Sequence, residues 1–343
     1  MPTPITGTIS GSRAAAVLGL SEYATPVNVW LQIMGPEFCA EHGYEYPVFE
    51  GNAATRWGSA FESAIIDLTE RETGKTVTDR ERVYRDDYLS CHVDGIIDGA
   101  LYEGKTTSAM NYREAWGEPG TDKIPVIYQI QVQHNMMLAG LPRAEVSVLV
   151  FPKRVEEWEA MGYIPSNFSD SDKICNYKIM KYVDYENRIS NHGEDVSPFQ
   201  WARVMAQMGY FHRYTVEAHP ELQALLRLRY REFWENYVLT GTPPPVMNYD
   251  DVKALVREPI GTVVANAEIT RLMAEYKNIT SEIGTGGPLA KRRDQIKVAV
   301  LDWMRTQGAT PDDESRDKWI LRDEAGRKIA GYGRNKNGVM GFR

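Results

Sequence analysis

Three things are scarce in this 343-residue chain: cysteine, long apolar runs and excess positive charge. Its three cysteines, Cys39, Cys91 and Cys175, lie far apart, which predicts reduced thiols and excludes a Cys-x-x-Cys metal site. No stretch approaches the roughly 18 consecutive apolar residues of a membrane-spanning helix. The first residues also lack a basic region followed by an apolar run, so we expect no secretory signal, no membrane partner and a cytoplasmic protein.

The charge balance excludes one class of nucleic-acid-binding protein. Lys and Arg number 39 against 47 Asp and Glu, a formal net charge of −8, whereas a protein that coats nucleic acid passively needs surplus positive charge. An enzyme that gathers carboxylates around metal ions carries negative charge locally, and it can still hold DNA through basic patches. The composition therefore leaves open an enzyme that acts on DNA.

Apolar periodicity predicts an α/β core. Trp57, Phe61, Ile65 and Leu68 recur at helical spacing, which predicts a helix over 54–73 that ends at Gly74. We expect further elements in this order: short helices within 11–19 and from 25, a loop over 36–52, strands over 75–84, 89–97 and 101–106, a helix over 125–139, and strands over 145–151 and 176–185. This order predicts a mixed central sheet flanked by helices.

The C-terminal part has a different pattern. Beyond Pro198 the sequence is typical of helices, and a long one near 218–239 ends in the Gly- and Pro-rich stretch 240–245. We therefore expect one domain over 1–245 and a helical extension over 246–343. The extension contains two predicted helices over 265–306, interrupted at 284–288, and a basic tail over 325–343 that is either flexible or hairpin-forming.

Asp94 and the triplet Glu103-Gly104-Lys105 form the strongest chemical pattern. A turn at Asp98-Gly99 would pair two strands, so that Asp94 lies close to the face carrying Glu103 and Lys105. Phosphodiester cleavage needs such a group, because carboxylates hold Mg²⁺, the metal activates water and an amine positions it. The spacing alone also fits a solvated hairpin, but apolar flanking residues favour a buried one, where convergent charge is seldom without function.

Two predicted helices supply candidate neighbours. Glu62 borders the apolar face of the 54–73 helix and is either an additional metal ligand or a carboxylate at the helix edge. Tyr128, Gln131 and Asn135 share one face of the 125–139 helix, where they either make core hydrogen bonds or orient a phosphate or a water.

Five segments together resemble a known family. They are 9–19 with Tyr23 and Pro26, the Trp-Gly-Ser-Ala-Phe-Glu run at 57–62, Val93-Asp94-Gly95, the Glu-Gly-Lys-Thr-Thr run at 103–107, and 124–134 with its Tyr-x-x-Gln-Val-Gln pattern. In order and spacing they resemble PD-(D/E)XK nucleases, and within these the YqaJ-like viral recombinases of the lambda exonuclease family. The resemblance covers residues 7–151 and fades through 245.

That resemblance implies a role for each matching residue. Asp94, Glu103 and the Gly104 carbonyl would bind Mg²⁺, which Mn²⁺ can replace, in a site for two ions supported by Glu62. Lys105 would activate water, and Tyr128 and Gln131 would contact the water or the phosphate. Ser12, Arg13 and His92 are candidates for binding a 5′-phosphate, although His92 stands where the family has a serine, and the family's upstream phosphate-binding arginine has no clear match here.

The resemblance also implies an activity and partners. It predicts an exonuclease of phage or prophage origin that digests linear double-stranded DNA from its ends, 5′ to 3′, leaving single strands for recombination. It further implies a homo-oligomer such as a trimeric ring, and a single-strand annealing protein as partner. Two alternatives stay open: an endonuclease of the same fold, and a non-catalytic DNA-binding recombination scaffold, against which the intact Asp94, Glu103 and Lys105 argue.

Overall fold

The computed structural model describes residues 7–48, 50–160, 197–256, 258–282 and 287–342. Cys175 and the strand predicted over 176–185 lie outside these ranges, whereas Cys39 and Cys91 are free and buried. Burial raises the pKa of both thiols to about 11. Within the described ranges, no helix combines the length and apolar character needed to cross a bilayer.

The helices and strands have the following bounds. The helices are α1 Gly11–Val17, α2 Pro26–Glu41, α3 Ala53–Thr73, α4 Ala109–Ala115, α5 Val126–Ala139, α6 Val155–Ala160, α7 Pro198–Gln207, α8 Pro220–Phe233, α9 Tyr249–Leu255, α10 Ala267–Glu282 and α11 Pro288–Gln307, with a π-helical segment at Trp234–Val238. The strands are β1 Ile9–Ser10, β2 Val83–Asp86, β3 Leu89–His92, β4 Gly95–Ile97, β5 Ala100–Ser108, β6 Arg143–Phe151, β7 Phe211–Glu217, β8 Gly261–Val264, β9 Lys318–Arg322, β10 Lys328–Arg334 and β11 Met340–Phe342.

The chain divides into two compact units. One comprises Thr8–Ala15 and Phe49–Tyr230, and the other comprises Met1–Gly7, Ala16–Val48 and Arg231–Arg343. The domain boundary expected at residue 245 stays a prediction.

The first unit contains the predicted mixed sheet. Its strand order is β4-β5-β6-β7, in which β5 and β6 are parallel and the outer pairs are antiparallel. The α/β core with a mixed central sheet flanked by helices is therefore confirmed. Helices predominate among the described residues beyond Pro198, as expected, but this part also contains β7, which pairs with β6 along seven residues and buries Phe211, Tyr214 and Val216.

Alternation along β6 places one helix layer on each face of this sheet. Leu149 and Phe151 pack with Trp57 and Phe61 of α3. Val146, Val148 and Val150 pack instead with Val132 and Met136 of α5. Because side chains alternate across a strand, both faces of β6 are apolar, as expected for a strand covered on both sides.

The ends of α3 and α5 follow from their sequence. Asn52 caps α3, its side chain accepting a hydrogen bond from the Thr55 N–H at 2.9 Å. Gly74 and Gly140 end the two helices in left-handed conformation, with φ of 66° and 67°. The loop expected over 36–52 was wrong in its first part: α2 continues to Glu41 across a kink at Gly35, where φ is 88° and Pro36 follows.

The strand predicted over 89–97 is in fact two strands. β3 belongs to a small sheet of order β1-β3-β2, and β4 belongs to the central sheet. The chain passes from one to the other at Val93 and Asp94, where the Val93 N–H donates to the Arg82 carbonyl at 3.1 Å. The strand predicted over 75–84 also differs: β2 begins only at Val83. In the earlier part of that range, the described structure has an isolated bridge between Thr78 and Ile96.

The second unit contains the helices predicted over 265–306 as α10 and α11. It also contains a four-stranded sheet of order β11-β10-β9-β8, which was not predicted. The basic tail supplies two of these strands, so it forms a hairpin, and Tyr332 of β10 is completely buried.

Candidate active site

The β4–β5 hairpin brings Asp94 and Glu103 together. Its two turn residues, Asp98 and Gly99, have φ of 50° and 72°, as a two-residue hairpin turn requires. Gly95 pairs with Tyr102, so Asp94 stands opposite Glu103 at the mouth of the hairpin. The Gly104 N–H donates to Asp94 Oδ2 at 2.8 Å. The predicted hairpin and the closeness of Asp94 to the triplet are present in the structure.

Glu103 is a buried carboxylate with donors from two elements. Its side chain forms an ion pair with the Lys105 ammonium through Oε1. Gln131 Nε2 on α5 donates to the same oxygen at 2.7 Å, and Asn135 Nδ2, one turn later, lies 3.4 Å from Oε2. Since Glu103 is only 1% exposed, these contacts replace the water that a charged group otherwise requires.

The charges in this site are unbalanced. Burial raises the pKa of Glu103 to about 7, with Lys105 opposing the shift and Asp94 and Glu62 adding to it. Burial lowers the pKa of Lys105, but the carboxylates of Glu103 and Asp94 outweigh that effect and the pKa is raised. One ammonium thus faces several carboxylates, and an added cation would lower the energy of the group.

Tyr128 contacts Lys105 through its ring. The Lys105 ammonium lies 5.2 Å from the ring centroid, which is within the range of a cation–π interaction. The indole of Trp116 packs against the same ring, with centroids 5.7 Å apart. Lys105 is therefore held between a carboxylate and an aromatic face.

Glu62 lies partly buried on α3, on the side of the helix that crosses β5. A Cβ built at Gly58, one turn earlier, would lie 3.7 Å from Thr106 of β5, and Ile65, about one turn later, lies against Gly104. Burial raises the pKa of Glu62, and Asp94 and Glu81 add to the shift. Glu62 is thus within electrostatic range of the hairpin carboxylates.

The side chains fit a hard cation that needs few protein ligands. Within the described part of the chain, no three His, Cys, Asp or Glu side chains form a ready cluster for a metal. Asp94 and Glu103 do present carboxylate oxygens next to the Gly104 backbone. Mg²⁺ is commonly bound through one or two carboxylates with water in the remaining positions, so this donor set suits it.

The three candidate phosphate-binding residues lie at the start of α1, directly after β1, and at the end of β3. Ser12 is exposed, and its hydroxyl oxygen lies 3.2 Å from that of Ser10, while the Arg13 guanidinium donates to the Thr8 carbonyl at 3.3 Å. β1 pairs with β3, and the exposed His92 ends β3 two residues before Asp94. Their role in phosphate binding stays a prediction.

One supporting group was missed from the sequence. The Thr69 hydroxyl on α3 accepts from or donates to Tyr102 and Ser147 at 2.9 and 2.8 Å, all three being buried behind Gly104. These hydroxyls join α3, β5 and β6 on the face opposite Glu103. They come from separate segments, so no local pattern signals their contact. Asn135, by contrast, is predictable from the sequence, because its spacing of four residues from Gln131 places both side chains on the same face of α5.

The hairpin, α3, α5 and the start of α1 all fall within one family model. Residues 6–142 match the YqaJ-like viral recombinase domain. The uncharacterized protein YqaJ of Bacillus subtilis (strain 168) is 33% identical over 138 residues, which are 38% of this chain. The match spans 39% of that relative's length.

Solved structures of exonucleases are similar to the chain at lower levels. An alkaline exonuclease (LHK-Exo) from Laribacter hongkongensis has a TM-score of 0.40 and 15% identity, over 67% of this chain and 87% of that one. A phage-related exonuclease from Haemophilus somnus 129PT has a TM-score of 0.40 and 13% identity, over 70% of this chain and 98% of that one.

Proposed function

We propose that this protein is a Mg²⁺-dependent deoxyribonuclease that digests linear double-stranded DNA from its ends, 5′ to 3′, and leaves single strands for phage-type homologous recombination. The observation that carries the proposal is the buried Glu103, paired with Lys105 and facing Asp94, inside the segment that matches a viral recombinase domain. Buried ionised groups that converge without a structural need are typical of active sites.

Asp94, Glu103 and the Gly104 carbonyl hold the metal, with Glu62 as a further carboxylate, and Mn²⁺ can take the place of Mg²⁺ in a site for two ions. Bound Mg²⁺ supplies Lewis-acid chemistry, lowering the pKa of water and neutralising charge on the phosphoryl oxygens. Lys105 alone does not balance the negative charge of these carboxylates, so a bound cation relieves the repulsion that remains among them. This relief is the chain's own contribution to metal affinity.

The remaining side chains orient the reacting groups. Lys105, fixed by Glu103 and by the ring of Tyr128, directs its N–H groups towards the attacking water and the scissile phosphate. Gln131 uses one amide hydrogen to hold Glu103, which fixes its side chain beside the water or the phosphate. Charge that develops on the phosphate is thus met by donors whose positions are set before the substrate binds.

DNA ends and protein partners complete the proposal. Ser12, Arg13 and His92 bind the 5′-terminal phosphate, because hydroxyl, guanidinium and imidazole groups can all donate hydrogen bonds to phosphate oxygens. The protein assembles into a homo-oligomer such as a trimeric ring, in which enclosed DNA is digested without release, and it passes the single strand to an annealing protein. We place it in the cytoplasm of a bacterial host, as the product of a phage or prophage.

The test compares linear duplex DNA, with 5′-phosphate or 5′-hydroxyl ends, with supercoiled circles, in Mg²⁺ or in chelator. We expect linear DNA alone to be digested, only with metal, and faster from phosphorylated ends. Asp94→Asn should reduce the rate by at least about 100-fold, because several kcal/mol of charge stabilisation depends on the bound metal. Asn keeps an oxygen for the Gly104 N–H, so the fold should persist.

Asp98→Asn is the matched control. Asp98 lies four residues later in the turn, exposed and paired with Lys75 and Arg143, and Asn tolerates its positive φ. This variant should retain wild-type activity. Nicking of the supercoiled circle would instead indicate an endonuclease, and binding without cleavage would indicate a scaffold. Cleavage in chelator, or by Asp94→Asn, would overturn the metal-dependent mechanism.

A further inference from the structure

The start of α1 lies in unusually close contact with α5. A Cβ built at Gly11 would lie 2.1 Å from Asn135 Oδ1 and 3.0 Å from Asn135 Cγ. Any side chain at residue 11 would therefore displace the Asn135 amide. Gly11 does not adopt a positive φ, so space and not backbone conformation requires glycine at this position.

The Asn135 amide is buried and only half satisfied. Asn135 is 1% exposed, and within the described residues no donor reaches its Oδ1. Its Nδ2 points at Glu103 Oε2, 3.4 Å away. A buried acceptor without a partner costs free energy, so an apolar side chain of similar shape would stabilise this position more. The amide is therefore present at a cost in stability, and the polar contact that the described residues offer it is with the buried carboxylate of Glu103.

The two oxygens of Glu103 are held differently. Oε1 is close to both the Lys105 ammonium and Gln131 Nε2. Of the donors in the described ranges, only Asn135 is close to Oε2. The two contacts on Oε1 alone would leave the carboxylate free to rotate about that oxygen. The contact from Asn135 on Oε2 removes this freedom.

We propose that Asn135 is a positioning residue that fixes the orientation of the Glu103 carboxylate for the metal, and that Gly11 keeps the Asn135 amide in place. This inference rests on the proposed function, because Glu103 acts there as a metal ligand. In this role Asn135 contacts neither the substrate nor the metal. It acts through Glu103, as hydrogen-bond partners behind metal ligands commonly do.

The first test measures Mn²⁺ binding to the full chain, following free Mn²⁺ by electron paramagnetic resonance. Asn135→Leu keeps the approximate volume and removes the donor, and we expect it to bind Mn²⁺ about 10- to 100-fold more weakly. Gln133→Leu is the matched control on the same helix. Gln133 is equally buried but bonds to Glu217, His219 and Gln223, so its loss should affect stability and leave Mn²⁺ affinity unchanged.

The second test uses the contact with Gly11 and does not depend on the folding of Asn135→Leu. Gly11→Ala should weaken Mn²⁺ binding to a similar degree, because the new methyl group pushes the amide away from Glu103. Asn135→Ala removes the atoms with which that methyl would collide. In this background Gly11→Ala should cause no further loss. Gly341→Ala, where a Cβ meets no atom within 4 Å, controls for the substitution itself.

The outcomes separate the two proposals. Equal Mn²⁺ affinities in Asn135→Leu and Gln133→Leu, or additive losses from Gly11→Ala and Asn135→Ala, would overturn the positioning role and leave the nuclease proposal intact. Absence of Mn²⁺ binding by the wild-type chain would overturn the metal-dependent nuclease and the positioning role with it.

Discussion

His134 makes the stability of this protein depend on pH in a predictable direction. The imidazole is completely buried on α5, and its Nε2 lies 2.8 Å from the Ser90 carbonyl, to which it must donate. Its Nδ1 has no partner among the described residues. Burial lowers the pKa of His134 to about 4, against a smaller opposing effect of the Ser90 contact, and the nearby Arg227 adds to the lowering.

The sign follows from comparing the two states. In the unfolded chain the pKa of His134 returns to its ordinary value of 6.5, so the unfolded state binds the proton more tightly. The stabilising effect of neutral His134 is fully present above pH 6.5 and is lost as the pH falls from there towards 4. The loss in free energy of unfolding reaches about 2 kcal/mol at pH 5 and about 3 kcal/mol at pH 4.

Urea unfolding of the wild type and His134→Gln, followed by circular dichroism between pH 7 and pH 4, measures this loss. Gln keeps a donor for the Ser90 carbonyl and does not titrate. Every other ionisable group contributes equally to both proteins, so the difference between them isolates His134. We expect the stability of the wild type relative to the variant to fall by about 2 kcal/mol between pH 7 and pH 5. A difference that stays constant across this range would refute the reasoning.

Three further outcomes are expected. Gly104→Ala should keep nuclease activity within about threefold, because a Cβ there meets its nearest atom, of Ile65, at 3.5 Å and the carbonyl remains; a 100-fold loss would contradict this. Tyr128→Phe should stay within about threefold while Tyr128→Leu falls about tenfold, because the ring holds Lys105; equal losses would implicate the hydroxyl. Removing residues 325–343 should lower the melting temperature, because it deletes β10 and β11, with the buried Tyr332, and leaves β9 without its antiparallel partner; unchanged melting would show that these strands are dispensable.

Much of the site could be predicted because its signals are local. A turn of Asp98 and Gly99 between apolar segments specifies a two-residue hairpin, and that hairpin by itself places Asp94 opposite Glu103. Helical spacing likewise puts Gln131 and Asn135 on one face of α5. The caps of α3 are equally local, because Asn52 and Gly74 act within one turn of the helix.

Contacts between distant segments required the tertiary structure. The break between β3 and β4 depends on which sheet each half joins: β3 pairs with β1 and β2, whereas β4 pairs with β5. The strand β7 forms because β6 offers it an edge, although the surrounding sequence favours helix. The roles of Gly11 and Thr69 depend on the residues that pack against them. Gly11 meets Asn135, which is 124 positions away, and Thr69 meets Tyr102, which is 33 positions away.

The sequence by itself determined the hairpin, the two flanking helices and the carboxylates they gather, because periodicity, turns and caps act over a few residues. Only the tertiary structure decided how Glu103 is held, since its partners come from β5 and α5, and burial acts on all of them at once. The charge imbalance that makes this site suited to a cation is therefore a property of the packed core, formed from residues that the sequence had already selected.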